Sequence, residues 1–328
     1  MNGKCRLAVW AMREEFQRGK DWNQMLETAL HMLDELKNEH TDLICFPEIF
    51  LKTGDNGQKP ENHIEIQNEM LTKFSEKAKE LNSYIMTSYY EQSEQYPGMQ
   101  YNCAVLFDRN GAICGKYRKV HIVTTEYTSN HVLPGSEYPV FETDFGTIGI
   151  QTCFDIGWRE GWNELAKKGA RLVIWNAAYD GGNLLDTYAV YNMYYVASTV
   201  RTNHARIIDP MGRTVAASSR WNGLAIADID LSAEVFHIDR QWQTIDTIIE
   251  KLGSSVQITS LSEENCFCIV SNDPDWPVSR IKKEFGLMSY RDYHIEADTL
   301  QKQLREQYHE FSDDAKCRND NCIHISDN

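Results

Sequence analysis

Apolar residues follow two different periods in the first part of the chain. Short apolar runs of strand length occupy residues 5–11, 42–46 and 84–90. Between them, residues 22–37 and 64–82 carry apolar positions at helical spacing. Strands that alternate with helices in this way are typical of sheets covered by helices. We therefore predict an α/β fold for this part of the chain.

The middle of the chain changes to strand pairs joined by tight turns. Asn110-Gly111 is the clearest of these turns, because Asn-Gly suits the two-residue hairpin geometry. The predicted pairs are 101–107 with 112–118, 138–143 with 146–152, and 205–210 with 213–218, and further strands are predicted at 171–176 and 223–231. Helices are predicted from residue 153 to about 169 and over 184–198.

The last part of the pattern predicts a helix over 241–253, a hairpin of 255–260 with 265–270, and a polar helix over 294–310. We find no repeat of fixed period and no low-complexity linker in the sequence. We therefore expect one domain over residues 1–285. Residues 286–328 are expected to form a tail with a helix that packs in an oligomer and then a loose end.

Charge and composition narrow the classes of partner. The 328 residues carry a formal net charge of -15, which disfavours nucleic acid and anionic membranes as partners. No apolar run is long enough to span a bilayer, and the first apolar run is too short for a signal peptide. The 9 cysteines, an odd number, fit reduced thiols better than a disulfide framework. We expect a soluble cytoplasmic protein.

Candidate chemistry begins with the stretch GIQTCFDIGWRE, residues 149–160. Cys153 ends an apolar strand and precedes a predicted helix, where a nucleophile is exposed at a sheet edge and a helix N-terminus favours the thiolate. A buried structural cysteine is the commoner alternative.

Two further residues have comparable positions. Glu48 follows an apolar strand and a proline, at the strand end where α/β sheets collect functional groups. Lys119 lies among apolar residues after another strand. The ordinary alternative for Glu48 is an exposed acid in a loop, and the ordinary alternative for Lys119 is a surface lysine.

Together, the three stretches resemble the signatures of the nitrilase superfamily, the carbon–nitrogen hydrolases with a Glu-Lys-Cys triad. They occur in the family's order as FPEIF, YRKVHI and GIQTCFDIGWRE, and the likeness extends over roughly the first 230 residues. The resemblance implies a four-layer αββα sandwich and an enzyme that cleaves C–N bonds other than peptide bonds. It also implies that no metal or other cofactor is needed.

The resemblance implies roles for individual residues. Cys153 would be the nucleophile that forms a thioester and Glu48 the general base. Lys119, with the backbone N–H of Phe154, would stabilise the tetrahedral intermediate. Many relatives have a second glutamate before the Pro-Gly turn, and Glu126 is the nearest acid here, two residues early.

The pocket wall is predicted with alternatives. Trp158 and Tyr179 flank strand ends near the cysteine, where core packing is an equal explanation. Asn176 and Ala177 close the following strand, so their backbone is expected to face a ligand. Soft metal ligands also occur in the sequence, at Cys266, Cys268, Cys317, Cys322 and His324, without zinc-type spacing, and we expect no metal site.

The leading functional hypothesis is a cysteine amidase acting on a small linear amide or an N-carbamoyl compound, with water as second substrate. A nitrilase is the first alternative, although nitrile-cleaving members tend to have Trp-Glu after the cysteine, where this chain has Phe154-Asp155. Acyl transfer would use the same triad. The alternative from another class is a catalytically silent scaffold. In the family the C-terminal segment commonly packs across a dimer face, so a homodimer or larger homo-oligomer is expected.

Overall fold

The computed structural model describes residues 3–13, 17–52, 60–261 and 264–308. The chain divides into two compact units, Met1–Ala233 and Glu234–Asn328. This division lies before residue 285, where the sequence pattern placed the end of the hydrolase domain. The extent of that domain stays a prediction.

The first unit contains most of the predicted strands and helices. Its strands are β1 (Lys4–Trp10), β2 (Leu43–Cys45), β3 (Tyr84–Gln92), β4 (Gln100–Phe107), β5 (Ile113–Arg118), β6 (Val132–Leu133), β7 (Val140–Glu142), β8 (Thr147–Thr152), β9 (Leu172–Ala177), β10 (Tyr195–Val200), β11 (Arg206–Ile208), β12 (Thr214–Ala217) and β13 (Leu224–Asp230). Its α-helices are α1 (Trp22–Asp34), α2 (His63–Leu81), α3 (Thr124–Asn130), α4 (Arg159–Lys167) and α5 (Asn183–Asn192).

These strands form two sheets. The first has the order β13-β1-β2-β3-β4-β5, with β6 beside β4, and the second has the order β12-β11-β10-β9-β8-β7. The central strands β1, β2 and β3 run parallel, as do β8, β9 and β10. Parallel strands place their carboxyl ends at one edge of the sheet, so the residues that follow them collect there.

The two sheets pack face to face with helices outside them. The Thr199 hydroxyl, on β10, donates hydrogen bonds to the carbonyl oxygens of Trp10 and Cys45 on β1 and β2. Helices α1 and α2 bury Met25, Leu33 and other apolar side chains in one core cluster against the first sheet. Helices α4 and α5 contact the second sheet through β8 and β10. The architecture is the four-layer αββα sandwich that the resemblance to the nitrilase superfamily implies.

The largest difference from the sequence prediction concerns residues 184–198. Helix α5 ends at Asn192, and Met193 has a left-handed φ of +52°. Residues 195–200 form β10, which is buried along its whole length in the middle of the second sheet. A strand buried on both faces has a continuous apolar pattern that a helix segment shares, so periodicity alone does not distinguish the two.

The second unit is an antiparallel sheet with helices. It contains β14 (Glu234–His237), β15 (Val256–Leu261), β16 (Cys266–Ser271), α6 (Trp242–Leu252), α7 (Val278–Glu284) and α8 (Tyr290–Gln307). The strand order is β14-β16-β15, which confirms the predicted hairpin. Phe236, Phe267 and Ile281 lie at the centre of its apolar core. Across the described ranges, every helix is too short or too polar to cross a membrane.

Candidate active site

Cys153 lies at the point where β8 ends. Its backbone has φ +47°, in the left-handed region that few residues other than glycine adopt. The chain turns there into a short 3-10 helix, Cys153–Gly157, and not directly into the longer helix that the sequence predicted. The side chain is only 8% exposed and lines a cavity beyond the strand end.

Asp155 connects the cysteine turn to the loop that carries Lys119. Its fully buried carboxylate accepts hydrogen bonds from the Thr152 N–H at 2.9 Å and from the Tyr117 hydroxyl at 2.6 Å. It also accepts one from the backbone N–H of His121 at 2.7 Å. Because these donors flank both Cys153 and Lys119, Asp155 fixes the two loops relative to each other.

Glu48 occupies a tight turn after β2. The N–H of Ile49, which has φ +40°, donates to the Ser88 hydroxyl at 2.6 Å. That hydroxyl donates in turn to the Pro47 carbonyl at 3.2 Å. Ser88 belongs to β3, so the neighbouring strand holds the turn and keeps the Glu48 side chain buried.

Lys119 follows β5 and is held by backbone contacts. Its N–H donates to the Asn102 carbonyl at 2.9 Å, and its carbonyl accepts from the Gly135 N–H at 2.8 Å. A Cβ at residue 135 would lie 2.2 Å from the Arg118 carbonyl oxygen, so this close approach requires glycine. The Pro-Gly turn therefore supports the position of the lysine.

The side chains of Glu48, Lys119 and Glu126 meet in one buried network. The Lys119 ammonium donates to Glu48 Oε1 at 3.0 Å and to Glu126 Oε2 at 2.8 Å. The Asn102 amide donates to both carboxylates, at 2.8 and 3.0 Å. Glu126 also accepts from the Val123 N–H at the start of α3, so its position is fixed by its own helix.

The thiol lies next to this network. The Cys153 thiol lies close enough to the Glu48 carboxylate and to the backbone N–H of Ala178 for both groups to shift its pKa, and it shares one cavity with them. Burial and the negative charge of Glu48 raise the pKa of the Cys153 thiol to about 12, although Lys119 opposes the shift. The resting thiol is therefore protonated, which corrects the expectation that a helix N-terminus stabilises a thiolate here.

The two partners of the thiol are charged at neutral pH. Burial raises the pKa of the Glu48 carboxyl, but Lys119 and Arg201 more than offset it, so the pKa lies below its usual value. Burial lowers the pKa of Lys119, yet the negative charges of Glu48 and Glu126, joined by that of the Cys153 sulfur once the thiol ionises at high pH, outweigh burial and the pKa is raised. The site thus holds a carboxylate, an ammonium and a thiol.

The cavity around these groups has a volume of about 380 Å³. Its lining includes residues that the sequence analysis did not single out: Lys52, Tyr90, Asn102, Asn130, Ala178 and Arg201. A larger groove of about 550 Å³ lies beside α1, but no cysteine occurs among the described residues that line it. The chemistry therefore belongs to the smaller cavity.

The predicted wall residues have mixed positions. Phe154 and Trp158 are partly exposed and in edge contact, and Trp158 stacks on His121 with ring centroids 4.1 Å apart. Asn176 and Ala177 are fully buried, and the side-chain amide oxygen of Asn176 accepts a hydrogen bond from the Thr152 hydroxyl. None of these side chains is among the described lining residues of the cavity, so their substrate contacts stay predictions.

Tyr179 packs its ring edge against Trp175, and burial together with the nearby negative charge of Glu48 raises the pKa of its hydroxyl. It therefore lies near the site, although it is not among the described residues that line the cavity.

Possible metal ligands are scattered. Within the described ranges, no three His, Cys, Asp or Glu side chains are grouped as a metal site would need. Cys266 and Cys268 lie in β16, whereas Cys317, Cys322 and His324 lie outside the described residues.

Comparison with known proteins agrees with the fold and the motifs. The sequence model of the carbon-nitrogen hydrolase family matches residues 6–234. Human omega-amidase NIT2 is 26% identical over 227 residues, which cover 62% of this chain and 82% of the relative. The deaminated glutathione amidase of Synechocystis is 28% identical over 236 residues, covering 62% and 85%.

The structure also resembles solved structures of this type. One is a mutant amidase from Nesterenkonia in which acrylamide has added to the active-site cysteine, with a TM-score of 0.59 and 19% identity over 74% of this chain and 99% of that one. At this identity the likeness shows the fold, and the family match covers more than half of the chain. This chain therefore belongs to the carbon–nitrogen hydrolase family, within the nitrilase superfamily, and is an amidase-like hydrolase of C–N bonds other than peptide bonds.

Proposed function

We propose that this protein hydrolyses a small linear amide or an N-carbamoyl compound, with Cys153 as nucleophile, Glu48 as general base and Lys119 as the stabilising cation. The observation that carries the proposal is the closeness of the thiol to Glu48, whose carboxylate accepts from Lys119 at 3.0 Å. A nucleophile within reach of a base that a third group orients is the arrangement that covalent catalysis needs.

The first half of the reaction forms a thioester. The sulfur attacks the amide carbonyl carbon while the thiol proton passes to Glu48, so the S–C bond forms and the carbonyl oxygen becomes an oxyanion. Lys119 and the backbone N–H of Phe154 stabilise that charge. The C–N bond then breaks, the proton on Glu48 passes to the nitrogen, and ammonia leaves.

The second half returns the enzyme to its resting state. Glu48, again ionised, takes a proton from water as the water oxygen attacks the thioester carbon. The C–S bond breaks, a carboxylic acid is released, and the proton on Glu48 returns to the sulfur. Glu126 gives Lys119 a second carboxylate partner besides Glu48 and keeps the ammonium in place as Glu48 gains and loses its charge.

The choice of an amide over a nitrile has two supports. The human and Synechocystis relatives are both named for amides. Phe154-Asp155 also replaces the Trp-Glu pair that is typical of nitrile-cleaving members. A cavity of about 380 Å³ is at the small end of ligand pockets, which suits a short linear substrate.

A screen of amides, nitriles and N-carbamoyl compounds, read by ammonia release, tests the proposal. We expect release from at least one short amide, and loss of that release in Cys153→Ala. Cys114→Ala is the matched control, because Cys114 is an exposed thiol on β5 and should keep full activity when replaced. Release from nitriles alone would favour the nitrilase alternative, and activity that survives in Cys153→Ala would refute the nucleophile.

A further inference from the structure

Asn102 on β4 is an unusual residue for its position. It is only 1% exposed, although asparagine is depleted in strands and is mostly exposed in proteins. Side chains alternate along a strand, and Cys103, Val105 and Phe107 belong to the apolar core that β4 shares with the helices. Asn102 therefore lies on the opposite face of the sheet, where it lines the active-site cavity.

Asn102 contacts all three charged residues of the buried network. Its backbone carbonyl accepts from the Lys119 N–H at 2.9 Å. Its side-chain amide donates to Glu48 Oε1 at 2.8 Å and to Glu126 Oε1 at 3.0 Å. One residue therefore connects the three segments that carry the proposed base, the stabilising cation and the second acid.

The two carboxylates fix the orientation of the Asn102 side chain. Its NH₂ group has two hydrogens, and each is donated to one carboxylate. A flipped amide would turn Oδ1 toward both carboxylates, where it would meet only acceptors. In the observed orientation Oδ1 is buried and has no hydrogen-bond partner within the described ranges. Because an unpaired buried oxygen destabilises the fold, the residue indicates a functional need for its two donors.

Asn102 also distinguishes the two oxygens of Glu48. Lys119 donates to this carboxylate at 3.0 Å and Asn102 donates at 2.8 Å, and both donors bind Oε1. Oε2 receives neither of them, so it is the oxygen left to take the proton of Cys153. When the oxyanion forms, Lys119 must stabilise a new negative charge, and Asn102 still holds Oε1 in place.

We propose that Asn102 is a positioning residue for the general base, which holds Glu48 through Oε1 so that Oε2 is directed to the thiol of Cys153. The inference rests on the proposed function, because it needs Glu48 to act as the base. Asn102 acts through Glu48 and not through the substrate. Its loss should therefore lower kcat and leave KM nearly unchanged, whereas loss of a residue that only binds substrate raises KM.

Asn102→Leu tests the proposal, because leucine has a similar volume and no donor. We expect kcat to fall roughly 10- to 100-fold, since a misplaced base loses part of the contribution of general-base catalysis. The loss of kcat/KM on the acid side should also move to higher pH by roughly one unit. The reason is that Glu48 loses a donor that favours its charged form, while Lys119 and Arg201 remain.

The matched control is Asn192→Leu. Asn192 is a buried asparagine of α5 whose amide donates to the Tyr188 carbonyl, and it is not among the described residues that line the cavity. We expect its kcat and its pH profile to equal those of wild type. The melting temperature of each variant is measured alongside. A fall in kcat for Asn102→Leu without any movement of the acid side, or with an equal rise in KM, would overturn the proposal and leave the amidase function standing.

Asn102→Asp keeps the shape of the side chain and decides the question even where Asn102→Leu does not fold. The new carboxyl lies beside the carboxylates of Glu48 and Glu126, so its pKa is raised. Protonated, it can donate one hydrogen bond, whereas ionised it repels both neighbours. We expect kcat/KM of this variant to fall as the pH rises through neutral, where wild type is flat. A profile parallel to that of wild type would refute the positioning role.

A measurement without an amide substrate separates the inference from the proposed function. Iodoacetamide alkylates a thiol with loss of iodide, and the thiol proton passes to a base. Alkylation at neutral pH is followed by mass spectrometry on the peptide that contains Cys153. We expect it to be roughly 10-fold slower in Asn102→Leu than in wild type, and unchanged in Asn192→Leu. Slower alkylation in a protein that hydrolyses no amide would sink only the function, whereas equal rates would sink the inference.

Discussion

Cys153 is a neutral thiol in the resting site, because burial and the charge of Glu48 raise its pKa to about 12. The thiolate needed for attack therefore arises only as the proton moves to Glu48, in the step that forms the S–C bond. A reactive thiolate is not exposed between turnovers, which protects the sulfur from side reactions. The ionisation of Glu48 and Lys119, and not that of the Cys153 thiol, should then determine how kcat/KM depends on pH.

The expected profile of kcat/KM is flat across neutral pH. Glu48 must be ionised and its pKa is depressed, so activity is lost only as the pH falls below the usual carboxyl range. Lys119 must be protonated and its pKa is raised, so activity persists until the pH rises above the usual lysine value. A change in kcat/KM with an apparent pKa near the ordinary thiol value of about 8.5 would contradict the assignment of the profile to Glu48 and Lys119.

Asp155 should control activity without touching the substrate. In Asp155→Asn one acceptor oxygen becomes an N–H₂ group facing N–H or O–H donors, which costs about 1–3 kcal/mol of unfolding free energy. We expect a fall in kcat as the Cys153 and Lys119 loops shift, measured with the melting temperature. Glu164→Gln on the surface of α4 is the control, with both values unchanged. A stable Asp155→Asn protein with full kcat would refute the positioning role.

At the scale of elements, the site is formed by residues that follow the ends of four strands. Glu48 follows β2, Lys119 follows β5, Cys153 follows β8 and Arg201 follows β10. The packing of helices against these strands therefore bears on the chemistry. Gly149 lies in β8 four residues before the nucleophile, and a Cβ there would lie 2.8 Å from the Leu165 side chain of α4.

Gly149→Val should force α4 away from β8. We expect a loss of about 1–3 kcal/mol of unfolding free energy, measured by urea unfolding, because extra volume in a packed core strains its neighbours. Gly157→Ala is the matched control, since nothing lies within 4 Å of a Cβ there, and its change should be within about 0.5 kcal/mol. An unfolding midpoint for Gly149→Val equal to that of wild type would show that the helix does not pack as described.

The sequence predicted the strands that precede Glu48 and Cys153 because short apolar runs end just before them, and the strand that precedes Lys119 because Asn110-Gly111 marks a turn between two strands. It did not predict that Arg201 lies in the cavity, because residues 184–198 were assigned to one helix. Because the sequence pattern did not reveal β10, it gave no reason to place Arg201 at the end of a strand. The sequence did not predict that Lys52 lines the cavity either. Its position depends on the turn after Glu48 and on a contact with the side chain of Asn130.

At the scale of the whole molecule, helix α8 lacks a buried residue along its described length. Three of its exposed residues, Tyr293, Leu300 and Leu304, have large apolar side chains. Together with Ala297 they follow spacings of four, three and four along the helix. This is the spacing of a helix face that pairs with another helix. It supports the expectation of a homo-oligomer, which stays a prediction.

Light scattering of the purified protein tests that expectation. We expect the mass of a dimer or a larger assembly, and a shift toward the monomer in the double variant Leu300→Glu with Leu304→Glu, because charge is introduced on the paired face. Thr299→Glu on the same helix adds a similar charge away from that face and should leave the mass unchanged. A wild-type monomer at all concentrations would contradict the prediction.

The most direct test of the whole account is to find the acyl group on the sulfur of Cys153 during turnover. An accepted amide is mixed with the enzyme, the reaction is quenched in acid, and peptides are mapped by mass spectrometry, with a parallel sample in hydroxylamine. The account predicts an acyl adduct on the peptide that contains Cys153, and a hydroxamate product in the parallel sample. Full turnover with neither adduct nor hydroxamate, or an adduct on Cys114 alone, would contradict it.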